Sequence, residues 1–181
     1  MSRLILLAFI IMPLLLPAQN KINFINEKID FSIDNKYFIV NGIYCFYNNS
    51  DKEIRQTILF PFSETADSLQ IKRVYNLTYL KNIFYKRLNN NSIIFKVVVL
   101  PKRTVDVNIA YSQKTDKENT YILKSTQTWG KPLQKAEYSL SVDNSVVIDS
   151  LSVKPDSLSN SIYYWSKTNF YPNKDFTVWI K

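Results

Sequence analysis

Turn-forming residues cut this 181-residue chain into apolar and aromatic runs. They recur about every 8 to 12 residues, a rhythm that suits many short strands. The clearest run sets Val105, Val107, Ile109 and Tyr111 against Thr104, Asp106, Asn108 and Ala110. That period of two is the mark of a strand with one face in a core. A second run sets Ala136, Tyr138, Leu140 and Val142 against Glu137, Ser139 and Ser141, before Asp143-Asn144-Ser145 turns into the segment 146–153. No stretch keeps a convincing helical period. The pattern predicts an all-β chain folded as an antiparallel β-sandwich, immunoglobulin-like or jelly-roll-like.

Composition agrees, since aromatic residues make up 14% of the chain and glycine occurs only twice. β-branched and aromatic residues fit a pleated sheet, and turns without glycine must be built from Asn, Asp, Ser and Pro. The run from Lys36 to Tyr47 is apolar or aromatic at nearly every position, as expected of a strand covered on both faces or central in a sandwich. After Asn48-Asn49-Ser50-Asp51, the segment from Glu53 to Phe60 is expected to return antiparallel to it as a hairpin. Pro61 lacks a backbone N–H, so it should end that strand or mark an exposed edge. Residues 92–100 form another apolar run, and Pro101-Lys102-Arg103 links it to the strand that follows. Shorter strands are expected at 28–33, 69–75, 78–85, 120–124, 161–165 and 176–180, with one helical turn at 63–69.

Arg3, the apolar run from Leu4 to Leu16 and the small residue Ala18 read as a secretory signal peptide over residues 1–18. The run is short of the roughly 20 apolar residues of a membrane span, and no second such run follows. Residues 19–181 then form one domain working in the periplasm or outside the cell; if the chain divides, the division falls near 115–119. The formal charge of +8 drops by one when Arg3 leaves. Outside the cytoplasm such a charge points to anionic surfaces or acidic proteins and not to nucleic acid. Lys72-Arg73, Lys86-Arg87 and Lys102-Arg103 are spread along the chain and read as solvated faces. Cys45 is the single cysteine, which rules out an intramolecular disulfide and leaves a small apolar side chain packed in a strand.

The chain has no histidine, which removes Ser-His-Asp and Cys-His catalysis and His-ligated zinc. Glycine stands only at positions 42 and 130, too few for a phosphate-cradling loop. Paired carboxylates remain open as glycosidase machinery, with Glu64, Asp67, Asp106, Glu137 and Asp149 as candidates, but solubility accounts for acidic residues at strand ends and on polar faces. No enzyme, cofactor or metal site is therefore expected. The strongest recognition signal is aromatic: Trp129 stands beside Gly130 and Pro132 in a turn between two strands, with Lys131 and Lys135 as positive neighbours. A rigid aromatic side chain in such a turn can anchor a partner at little entropic cost. Trp129, Lys131 and Lys135 are the candidate binding residues, and the expected partner is an envelope protein or a surface polysaccharide. The alternative is a carbohydrate-binding or carbohydrate-cleaving domain.

Two segments, from Tyr44 to Phe62 and from Tyr121 to Leu140, carry an aromatic strand, an Asn-x-Ser-Asp turn, a strand ending Phe-Pro, a Tyr-x-Leu strand and a Trp-containing turn. In these motifs the chain resembles secreted bacterial envelope proteins of uncharacterised function. The resemblance implies an all-β module and supplies no active site.

Overall fold

The structure, a computed structural model, describes residues 21–63 and 68–181. The expected signal peptide lies outside the described residues, as do Glu64, Asp67 and most of the helical turn expected at 63–69. The described residues form β1 (Asn23–Ile33), β2 (Tyr37–Tyr47), β3 (Ile54–Pro61), β4 (Gln70–Asn76), β5 (Lys81–Asn82), β6 (Tyr85–Asn89) and β7 (Ser92–Val99). They continue with β8 (Thr104–Lys114), β9 (Glu118–Tyr121), a 3-10 helix (Lys124–Trp129), β10 (Leu133–Val142), β11 (Ile148–Leu151), β12 (Ser157–Ser159), β13 (Ile162–Phe170) and β14 (Phe176–Ile180). The chain is all-β, as its periodicity requires, and no described helix is long and apolar enough to cross a membrane.

One long sheet forms a platform with the strand order β12-β13-β10-β1-β2-β8-β4-β5. Two three-stranded sheets, β3-β7-β6 and β11-β14-β9, cover its inner face side by side. Ring contacts show which half each covers. Phe60 of β3 packs edge-on against Tyr44 of β2, and Phe62, just past β3, against Tyr111 of β8 at 4.8 Å. Phe176 of β14 stacks on Phe31 of β1 at 4.4 Å and meets Trp165 of β13 edge-on at 5.1 Å. Thirty-one buried apolar side chains join these layers into one cluster. Aromatic residues are abundant because a gap of about 10 Å between packed sheets must be filled, and rings fill it with few rotatable bonds.

Pairing departs from the sequence expectation in three places. The hairpin expected between 36–47 and 53–60 does not form: β2 pairs with β1 on one edge and β8 on the other, whereas β3 pairs with β7 in the opposite layer. Local alternation cannot see that both edges of β2 are occupied. Between these strands the chain crosses layers, held by buried Asn48, whose Nδ2 donates to the carbonyls of Lys52 and Val99 while its Oδ1 accepts from Ser50. The hairpin that does form joins β1 to β2, and Asp34 Oδ1 accepts the backbone N–H groups of Lys36 and Tyr37 in its turn. The second departure concerns burial: of the two alternatives for β2, a strand covered on both faces is not realised, whereas β2 does lie inside the platform between β1 and β8, with Phe38, Val40, Tyr44 and Phe46 buried and the intervening side chains exposed or half-buried. Third, the sheets are not wholly antiparallel, because β1 and β10 run parallel from Asn26–Lys135 to Ile33–Val142. Pro61 does end β3, whose other edge pairs with no strand among the described residues.

Two short segments also differ. The strand expected at 120–124 stops at Tyr121, where Asp175 Oδ1 accepts the N–H groups of Leu123 and Lys124 at 3.0 and 2.8 Å and starts the 3-10 helix. The one expected at 78–85 is a turn, with only the two residues of β5 and the start of β6 extended.

Candidate functional site

The two covering sheets do not meet completely over the platform, and the seam between them is a cavity of about 490 Å³. Phe24, Tyr44, Phe46 and Ile109 line it from the platform, Ile58, Phe60 and Phe95 from β3 and β7, and Tyr121 and Trp129 from the far side. Its size is within the roughly 300–1,000 Å³ typical of small-molecule pockets. Phe24 ties the wall together, with ring centroids 5.4 Å from Phe46 and 5.7 Å from Trp129. Tyr44 and Tyr121 share a hydrogen bond of 3.0 Å that fastens the platform to the β11-β14-β9 sheet.

Among these rings stands one carboxylate. Glu27 is 3% exposed and lines the cavity, and its Oε1 accepts the hydroxyl of Tyr138. Burial without a positive partner disfavours the charged form, raising its pKa to about 7 against the smaller opposing pull of the Tyr138 hydrogen bond. Local backbone geometry puts it there. A register shift between Phe24 and Asn26 adds a residue to β1, so Phe24 and Glu27 both face inward ahead of Ile29, Phe31 and Ile33. Glu27 was absent from the sequence candidates although it shares the parity of Ile29, Phe31 and Ile33. Extending that alternation two residues toward the N-terminus would have found it.

Gly42 lies on the same inner face, opposite Ile29 of β1 and Ile109 of β8. The Tyr44 ring folds back over it: a Cβ at position 42 would sit 2.6 Å from Cζ and 2.7 Å from Cε2. The absence of a side chain at 42 is what lets the Tyr44 hydroxyl reach Tyr121.

Of the three expected binding residues, only Trp129 belongs to this cavity. It is half-buried, with its ring 5.5 Å from Phe46, and so is both wall and packing residue. Lys131 is exposed beyond the end of the 3-10 helix. Lys135 is carried by β10 to the outer face of the platform, where it pairs with Glu137 at 2.9 Å in a small cleft that Cys45 and Asp106 also line. Burial, with a smaller contribution from the neighbouring Asp106, pushes the Cys45 thiol up to about 12, which keeps it protonated and unreactive. The helix ends at Gly130, whose φ of 70° is left-handed. Nothing lies within 4 Å of a Cβ placed there, so backbone strain alone resists substitution. Gly130→Ala is expected to cost about 1–2 kcal/mol in chemical denaturation, the price of a left-handed alanine.

A second concavity, of about 950 Å³, lies on the outer side of the β3-β7-β6 sheet and beneath the turn 77–84. Ile94 and Val98 of β7 form its floor, with Tyr79, Ile83 and Phe84 above. Phe84 is 96% exposed and Leu80, in the same turn, 75%. Arg55, Lys81, Lys86 and Lys96 also line the groove, and no described carboxylate does. Arg55 is paired with Glu53 at 2.7 Å, and the Lys81 ammonium sits 5.6 Å from the Tyr79 ring centroid. The dispersed basic pairs of the sequence thus hide one genuine cluster: Lys86 of the Lys86-Arg87 pair joins Lys81 from the same stretch with Arg55 and Lys96 from β3 and β7.

Neither a family model nor a curated protein matches the sequence. Solved structures do share the fold. A Legionella pneumophila protein whose proposed role is nutrient binding is 14% identical with a TM-score of 0.64, over 90% of this chain and 68% of that one. An M1 zinc metallopeptidase from Deinococcus radiodurans is 7% identical with a TM-score of 0.53, over 89% of this chain and 43% of the peptidase. Yeast LTA4 hydrolase is 7% identical with a TM-score of 0.52, over 88% of this chain and 28% of the hydrolase. This chain therefore spans less than half the length of either enzyme. At these identities the likeness establishes the fold: this all-β arrangement recurs in proteins whose stated roles differ.

Proposed function

We propose that this chain is a non-enzymatic binding or assembly module of a bacterial envelope, working in the periplasm or outside the cell, whose partner is an envelope protein held in the groove of the β3-β7-β6 sheet. The observation that carries the reading is the Phe84 ring, 96% exposed above an apolar floor and ringed by cations. Contiguous apolar surface rimmed by charge marks interaction sites, and the groove's charge selects a partner segment that is apolar and acidic. Its concave shape suits an extended polypeptide better than a flat bilayer. The edge of β6 beside it, which pairs with no other strand among the described residues, offers backbone groups for an added strand. A sugar site would be expected to set a carboxylate pair beside its aromatic platforms, and the groove has no described carboxylate. The address outside the cytoplasm rests on the pattern of residues 1–18, and the resemblance to secreted envelope proteins agrees with it. The L. pneumophila protein supports binding as a role for this fold.

Selection from a displayed library of random peptides tests the reading. Wild-type protein is expected to enrich sequences that place Asp or Glu beside aromatic and branched residues. A Lys86→Glu/Lys96→Glu variant should bind them at least tenfold more weakly, and Phe84→Ser similarly, both with unchanged thermal stability because these side chains are exposed. Enrichment of peptides without acidic residues, binding that survives both variants, or binding only to anionic phospholipid vesicles would overturn it.

A further inference from the structure

We propose that the cavity at the seam of the three sheets is a binding site for a small organic cation, an ammonium group carried on a flat apolar body, with Glu27 as its counter-ion. The site is distinct from the groove and does not depend on it. Three features point to the ligand's chemistry. First, rings and branched side chains (Phe24, Tyr44, Phe46, Ile58, Phe60 and Trp129) make up most of the wall, with a minority of polar side chains such as Asn23, Gln56 and Thr126, so a ligand must present apolar surface to most of the cavity. Second, Glu27, the one acidic group in the lining, is in none of the salt bridges among the described residues. Among the described residues its one side-chain hydrogen bond is from Tyr138, to Oε1, which leaves Oε2 for an incoming donor. Third, Phe24, Tyr44 and Phe46 line the same cavity, with Tyr44 opposite Glu27 on the neighbouring strand, and aromatic faces attract cations through their quadrupole, more strongly where water is excluded. A neutral ligand would gain the apolar contacts alone. An anion would meet the buried carboxylate.

Glu27 must be ionised to hold a cation, so binding should strengthen as pH rises through about 7 and release a proton below it. The groups that face it do not titrate with it. Tyr138 of β10, Tyr44 of β2, Tyr121 of β9 and Tyr111 of β8 are all pushed above the ordinary phenol range by burial and remain neutral. Lys21 stands at the cavity's edge, and on the outer side the cleft behind Glu27 carries Lys28, Asp106, Lys135 and Glu137. The range that matters for the test is pH 5 to 8, on either side of the Glu27 transition.

Isothermal titration with 2-phenylethylamine and its neutral counterpart 2-phenylethanol tests the proposal, since the amine stays protonated across that range. The amine is expected to bind the wild-type protein at least tenfold more tightly than the alcohol at pH 8. Its affinity should fall at least fivefold by pH 5.5, and in buffers of different ionisation enthalpy a proton should be released at pH 6. Glu27→Gln should weaken the amine at least tenfold and leave the alcohol unchanged. Equal affinities for amine and alcohol, no amine binding at pH 8, or an amine affinity that ignores both pH and Glu27→Gln would overturn the proposal. The two wild-type comparisons hold even if the variant folds poorly.

Discussion

Wild-type protein is expected to lose about 3 kcal/mol of stability relative to Glu27→Gln as pH rises from 4.5 to 8, read from urea denaturation at a series of pH values. Glu27 carries a folded-state pKa of about 7 against an ordinary 4.5. Below 4.5 the carboxyl is protonated in both folded and unfolded chains, and its contribution to stability is then greatest. Between 4.5 and about 7 the unfolded chain has released the proton and the folded chain still holds it, so each pH unit favours unfolding by about 1.4 kcal/mol. Above 7 the folded chain ionises too, and the difference levels off. Glutamine can still accept from Tyr138 but cannot titrate. Any fixed cost of its buried amide shifts the whole curve without changing the slope, so the slope of the difference isolates Glu27. A pH-independent difference would show that Glu27 is solvated in solution, and the cavity would lose its counter-ion with it.

Gly42→Ala is expected to destabilise the protein by about 3 kcal/mol in the same assay, although alanine in place of a strand glycine ordinarily stabilises by roughly 0.5–1 kcal/mol. An added methyl meets ring carbons of Tyr44 at 2.6 and 2.7 Å, and the Tyr44 ring is pinned by Phe60 on its edge and Tyr121 at its hydroxyl. Relief requires the ring to swing out, which breaks the buried Tyr44–Tyr121 hydrogen bond and intrudes on the cavity. In a Tyr44→Phe background the hydroxyl contact is gone but the ring contacts remain, so the penalty of Gly42→Ala should fall without vanishing. Equal penalties in both backgrounds would show that the backbone, not the Tyr44 ring, resists the methyl. The same substitution should also weaken any cavity ligand while sparing the groove on the far side of the β3-β7-β6 sheet.

Local sequence determined the elements of this protein. Strands β8 and β10 lie where the alternation of apolar side chains puts them, because a period of two is a property of the strand itself and survives whatever it packs against, and β7 falls within the continuous apolar run at 92–100. The end of β3 at Pro61 and the turn at Asp143-Asn144-Ser145 were legible for the same reason: a missing N–H and a side chain that bonds its own backbone act over a few residues. The all-β class follows from these. The partners of the strands were not legible, because pairing depends on which edges other strands have already taken. Thus β3 crosses to the second layer, and β10 reaches β1 in parallel from more than a hundred residues away.

The candidate site divides along the same line. Trp129 was visible as an aromatic residue in a glycine-containing turn, but only packing decided that it faces Phe24 and Phe46 while Lys135, six residues on, faces the opposite side of the platform. Glu27 lay on the apolar parity of its strand, yet nothing local said that Tyr138, 111 residues away, would meet it or that a cavity would surround it. The groove gathers Arg55, Lys81, Lys86 and Lys96 from three separate stretches of the chain. Sequence alone set what each residue could do, through its charge, its shape and its parity in a strand. The tertiary structure decided which of them meet, because two small sheets covering one large sheet leave a seam, and the seam's position is a property of the whole packing.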